Sequence, residues 1–211
     1  MADRVSQALS GDREDVFREL GSIGAGNAAT ALAGMLGKRI NMNVPEVSII
    51  PFNEVPNIMG GADNIVVGVL VNMRGQMNGY VLLLLGIDDA YSLLSAALQE
   101  KKTPPENFYI GSLSELESSA LVEISNILVG SYLSAIITIT NLSIKPSVPE
   151  IAVDMAGAIL NIVAVSYGHI GDSVLFLKTQ FTSEDSDMTG NFFLIPDFSS
   201  YKILMASLGI S

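Results

Sequence analysis

Apolar residues recur every three or four positions between Phe17 and Leu36 and again between Leu121 and Ile139, so each stretch predicts a long amphipathic helix. On the first, Phe17, Leu20, Gly24, Ala28, Ala31 and Met35 are expected to face the core; on the second, Leu121, Ile124, Leu128, Tyr132, Ala135 and Ile139. Opposite each apolar face runs a polar stripe: Asp15, Glu19, Ser22 and Gly26, then Ser119, Glu123, Asn126 and Gly130. The pattern changes in "IVVGVLVNMRGQMNGYVLLLLG" and "SVLFLKTQFTSEDSDMTGNFFLIP", where apolar runs flank glycine and polar turn residues, and each predicts a β-hairpin. A short apolar helix follows each hairpin. Ser114 with Glu117 three residues on predicts a capping box for the second long helix, and Asp12 is the weaker candidate cap for the first. Gly37 is placed to end the first helix.

These recurring elements reflect a repeat. Shifted by 104 positions, "ELGSIGAGNAATALAGMLGKRINMNVPEV" lies over "EISNILVGSYLSAIITITNLSIKPSVPEI" without a gap, matching Glu19 with Glu123, Gly26 with Gly130 and Pro45 with Pro149. The expected organisation is one domain over residues 1–211, built from two repeats of about 12–99 and 113–209. The connecting stretch 100–112 carries Pro104 and Pro105 and is too short to separate two independent cores.

Within the first helix, Gly24-Ala25-Gly26-Asn27-Ala28-Ala29 fits the G-x-G-x-x-A pattern of a dinucleotide-binding turn. Such a turn requires a buried strand before its glycines, whereas "GDREDVFREL" precedes them here, charged and helical in period. The glycines are better read as places where something approaches the helix closely.

Composition narrows the chemistry. Apolar residues make up 49% of the chain and charged residues 16%, which favours a packed core over disorder. A net charge of −11 disfavours nucleic acid and anionic membrane surfaces. Without cysteine there is no thiol nucleophile, and the single histidine, His169, cannot build a histidine metal cluster and reads as incidental. The first residues lack the apolar segment of a signal peptide. The uncharged run from Ile124 to Ile144 carries many Ser, Thr and Asn residues and reads as a buried helix followed by a strand.

A Glu and an Asn three apart on a helix stand side by side and alone mean little. Here each polar position is followed by a proline 23 residues on, Ser22 by Pro45 and Asn126 by Pro149. Duplication of a structural unit with exposed polar faces accounts for that spacing; so does a duplicated site.

At these residues the chain resembles the CheC, CheX and FliY phosphatases of bacterial chemotaxis. Their motif is Asp or Ser, three residues, Glu, two residues, Asn, then Pro after 22 more; "DVFRELGS" with Pro45 and "SALVEISN" with Pro149 stand where it expects them. The first copy departs at one position, with Ser22 in place of Asn, while the second is complete. Two copies in a chain of this size match the CheC branch.

The resemblance implies an α+β fold, a pseudo-twofold duplicated unit with long helices packed on a mainly antiparallel β-sheet. It implies an enzyme acting on the aspartyl phosphate of the response regulator CheY. Asn126 would hold the attacking water and Glu123 would dock on the regulator's lysine. Glu19 and Ser22 would form the lesser site, and Asp15, Ser119, Gly26, Gly130, Pro45 and Pro149 would support the two motifs. The protein would need no cofactor of its own, since Mg²⁺ is supplied by CheY. The implied protein is cytoplasmic, monomeric or paired with the receptor deamidase CheD. CheD would dock at Asp154 on a helical segment "PEIAVDMAGAIL"; alternatively Asp154 caps a core helix. The rival readings are an adaptor that binds CheY or CheD without catalysis, and a flagellar switch component.

Overall fold

The computed structural model describes residues 2–106, 108, 111–167, 173–182 and 187–209, with backbone alone for 2–14, 166, 167 and 173. His169 lies outside the described residues, as does part of the 100–112 connector.

Helix α1 (Ala2–Leu36) starts well before Asp12, so Asp12 is an interior residue and not the cap. The preceding "ADRVSQALSG" contains no proline, and Gly11 is carried inside the helix, where a single glycine costs only about 1 kcal/mol. Gly37 ends it as expected, with φ of +64° and its N–H donating to the Ala33 carbonyl at 3.0 Å. The buried line of α1 is Phe17, Leu20, Gly24, Ala28, Leu32 and Leu36, whereas Ala31 and Met35 are exposed. Steps of four carry the line about 40° around the helix each time, as contact with an obliquely crossing neighbour requires. A strict face of constant direction therefore misplaces the last turns.

Helix α4 (Glu115–Thr140) opens with the expected capping box. The Glu117 N–H donates to Ser114 Oγ at 3.3 Å, and the Ser114 N–H donates to the Glu117 carboxylate at 2.9 Å. That backbone bond is the main reason the Glu117 carboxyl titrates below its ordinary range. A carboxylate with a lowered folded pKa stabilises above its unfolded pKa and stops doing so as pH falls through the folded one. Ser114→Ala, which keeps that N–H, is expected to cost about 0.5–2 kcal/mol through the lost cap, whereas Glu117→Gln should remove the acid dependence itself, as urea melts at neutral and acid pH will show.

One seven-stranded antiparallel sheet forms the centre, with strands β1 (Asn41–Pro51), β2 (Ile65–Gly75), β3 (Gly79–Leu85), β4 (Ile144–Pro146), β5 (Glu150–Met155), β6 (Ser173–Thr182) and β7 (Asp187–Pro196). The order is β1-β6-β7-β3-β2-β4, and β5 also pairs with β2. The hairpins β2–β3 and β6–β7 meet in the middle, where Gly79 to Leu85 pair with Pro196 to Gly190. Each hairpin takes its outer neighbour from the other half of the chain: β1 lies on β6, and β4 and β5 lie on β2. The aligned prolines interrupt both outer strands, because proline has no N–H for the ladder. Pro45 sits in a register shift between Asn43 and Glu46, and Pro149 lies in the gap between β4 and β5.

Alternating strand residues face two covers. Val67, Val69, Val71, Val81, Leu83, Leu175, Leu177, Phe192 and Leu194 share a core with α1, α4, α3 (Ile87–Leu98) and α6 (Phe198–Ser207). Val66, Leu82, Leu84, Phe176 and Phe193 pack under α2 (Val55–Ile58) and α5 (Ala156–Tyr167). The result is the expected α+β architecture, with the long helices on one face of the sheet.

Candidate functional site

The long helices α1 and α4 pack against each other, and one contact sets how close they come. A Cβ on Gly24 would stand 2.5 Å from Cδ1 of Tyr132, so only glycine admits that ring against the α1 backbone. Tyr132 is held on its other sides as well. Its ring lies 4.5 Å from that of Phe192, and its hydroxyl shares a 2.8 Å hydrogen bond with Thr179 on β6. Burial pushes the phenol up to about 12, against the smaller lowering effect of Thr179. This buried polar link joins α4 to the sheet, and the apolar period that placed Tyr132 in the core gave no sign of it.

With their apolar sides fixed, both helices present the polar stripes to solvent. Asp15, Glu19, Ser22 and Gly26 are exposed on α1, and Ser119, Glu123, Asn126 and Gly130 on α4. A Cβ on Gly26 or Gly130 would meet nothing within 4 Å, so these two glycines leave open surface, unlike Gly24. Pro45 is exposed and Pro149 buried.

The two stripes differ in what their polar atoms do. Ser22 donates its hydroxyl to the Arg18 carbonyl of its own helix at 2.9 Å, and Asp15 pairs with Arg18 at 3.0 Å. Arg18 was not singled out from sequence, although its three-residue spacing from Asp15 is a signal for such a pair. On α4, Glu123 and Asn126 have no hydrogen bond or ion pair with any described residue. A carboxylate and a carboxamide one turn apart thus point outward without internal partners from a helix that is capped and wedged. In water such groups are solvated and inert; covered by a macromolecule they become desolvated donors and acceptors.

The chain shows similarity to known proteins at these positions and beyond them. The model of the CheC-like family matches residues 14–49 and 116–153, which contain both stripes and both prolines. The CheY-P phosphatase CheC of Bacillus subtilis (strain 168) is 31% identical over 211 residues, covering 98% of this chain and 99% of that protein. The chain belongs to the CheC-like family. FliY of Thermotoga maritima has the same fold, with a TM-score of 0.72, 19% identity, and 93% of this chain and 95% of that one covered. A CheX-CheY-BeF3-Mg²⁺ complex from Borrelia burgdorferi contains a more distant match, with a TM-score of 0.50 and 16% identity, covering 82% of this chain and 95% of that one.

Among the described residues no group of three or more His, Asp or Glu is arranged to hold a metal. Helix α4 is long and apolar enough to cross a membrane, yet 56% of its most apolar window is buried inside the protein, in line with a core helix. Asp154 is neither on a docking helix nor a helix cap. It lies on β5, paired with Val66, and accepts the N–H of Met155 at 2.8 Å; α5 begins only at Ala156. The segment "EIAVDM" completes the edge of the sheet beside β2, and this long-range pairing outweighs its local helical pattern.

Proposed function

We propose that this CheC-like protein hydrolyses the aspartyl phosphate of CheY, and that Glu123 and Asn126 of α4 carry the reaction. The observation that carries this reading is the outward, internally unpartnered pair on a rigid helix within the matched segment 116–153. The Asn126 carboxamide both donates and accepts, so it can hold a water in line with the phosphorus. Attack by that water forms a new P–O bond and breaks the bond to the aspartyl oxygen, releasing inorganic phosphate and a free carboxylate. Glu123 pairs with a cation of CheY and sets the register of docking. Gly26 and Gly130 leave room for the partner's backbone. The Mg²⁺ enters with CheY, as the ion in the distant CheX-CheY complex suggests. The reading also places the protein in the cytoplasm, with the two repeats acting as one domain whose halves share the sheet.

The test is the decay of phosphorylated CheY with and without chelator-treated protein, with Mg²⁺ present for CheY. Faster decay that saturates with protein supports hydrolysis. Binding without faster decay establishes an adaptor instead.

CheD docking is proposed at Asp154, near the end of β5 at the edge of the sheet. Asp154→Lys is expected to weaken CheD binding at least about tenfold, the effect of losing a charge-assisted contact, and to leave CheY-P hydrolysis unchanged. A lowered melting temperature with unchanged CheD affinity would assign Asp154 to the sheet edge alone.

A further inference from the structure

On the sheet face away from α1 and α4, a cavity of about 280 Å³ is lined by Glu46, Ile58, Phe176, Lys178, Thr189 and Asn191. Its charged and amide groups form one row across three strands. Glu46 of β1 is the register partner of Lys178 of β6, and Lys178 is the partner of Asn191 of β7. Directly opposed residues of antiparallel strands share a face, so the three side chains leave the sheet in sequence from Cβ atoms about 4.5–5.5 Å apart.

Opposed charges in such a row usually pair. Here the exposed Glu46 and the half-buried Lys178 form no ion pair with each other, and neither has a polar partner among the described residues, so both charges are left to solvent or to a ligand. Asn191 is only 9% exposed, and it donates one N–H to the Met59 sulfur at 3.3 Å, a weak acceptor. The fold does not require this row. Glu150 aligns with Glu46 in the repeat, and its cross-strand partners are Leu70 and then Leu82.

We propose that this cavity binds a small zwitterion, an α-amino acid with an aliphatic side chain. The carboxylate lies on Lys178 Nζ and the free N–H of Asn191, the ammonium lies on Glu46, and the side chain packs on Phe176 and Ile58. A zwitterion satisfies both unpaired charges at once, which neither a simple anion nor a cation does. The volume fits an occupant of that size, being below the range of roughly 300–1,000 Å³ typical of drug-sized ligands.

Titration calorimetry of the full chain with L-valine and L-leucine tests this, beside isovalerate and isobutylamine, which carry one charge each. Saturable one-to-one binding of an amino acid is expected, with each single-charge analogue at least about tenfold weaker. Lys178→Gln and Glu46→Gln should each weaken amino-acid binding by a similar factor while melting like the wild type. The absence of saturable binding of either amino acid at millimolar concentration overturns the proposal, as does undiminished binding to both variants. In wild-type protein, amide NMR shifts on adding L-leucine should centre on residues 46, 178 and 191; a different centre places the ligand elsewhere and overturns it too.

Discussion

Asn126→Ala is expected to slow CheY-P hydrolysis about a hundred- to thousandfold, the usual cost of about 2–4 kcal/mol for losing one well-placed hydrogen bond in a transition state. The fold should not notice. Asn126 is exposed and bonded to no described residue, so the thermal midpoint should stay within the small range of surface substitutions. Ser22→Ala provides the contrast. Its hydroxyl already donates to the Arg18 carbonyl, and the side chain is shorter than a carboxamide by the atoms that would reach a water. Its rate should therefore remain within about twofold of wild type, well below the effect of losing a catalytic hydrogen bond. Ser22→Asn, with Glu19 beside it, should add activity at the first site. Single-turnover decay of phosphorylated CheY separates the two positions, and equal losses in Ser22→Ala and Asn126→Ala would refute the assignment of α4 as the working helix.

The periodicity of the chain carried most of its helices and hairpins, because those are local patterns. Gly37 and the Ser114–Glu117 box stopped and started helices where their chemistry requires. Long-range pairing was not legible in the same way. Nothing in "NMNVPEVSIIP" announces that β1 will pair with β6 of the other half, and the helical pattern of "PEIAVDMAGAIL" conceals that Asp154 belongs to a strand. The site shows the same division. Sequence spacing located Glu123 and Asn126 on one exposed face, but the side-chain bonds that distinguish the stripes, Ser22 to Arg18 and Asp15 to Arg18, depend on rotamers. Helix direction was the third gap. Ala31 and Met35 satisfy an ideal 100° projection, yet Leu32 and Leu36 are the buried residues, since the line of contact follows the neighbouring helix.

Gly24→Ala is expected to destabilise the protein by about 1–3 kcal/mol, even though alanine alone favours a helix by about 1 kcal/mol over glycine. The new Cβ would stand 2.5 Å from Tyr132 Cδ1, and the ring has nowhere to go. Phe192 lies against it, and its hydroxyl is fixed to Thr179, itself only 1% exposed. Tyr132→Ala removes the obstruction at a cost of about 3–5 kcal/mol, the range for emptying an aromatic site in a core. In that background Gly24→Ala should change sign and recover up to about 1 kcal/mol, because helix propensity and partial filling of the space then act without a clash. Tyr132→Phe tests the other end of the side chain. It leaves the buried Thr179 hydroxyl without its partner and should cost about 1–3 kcal/mol. It should also remove a pH dependence: a phenol pushed up from 10.0 to about 12 keeps its contribution below the unfolded pKa and loses it as pH rises through the folded one. Urea melts of the four proteins in the Gly24/Tyr132 cycle measure the coupling directly. If Gly24→Ala destabilises the wild type and the Tyr132→Ala protein equally, the close approach of α1 to α4 at this ring is not what requires glycine.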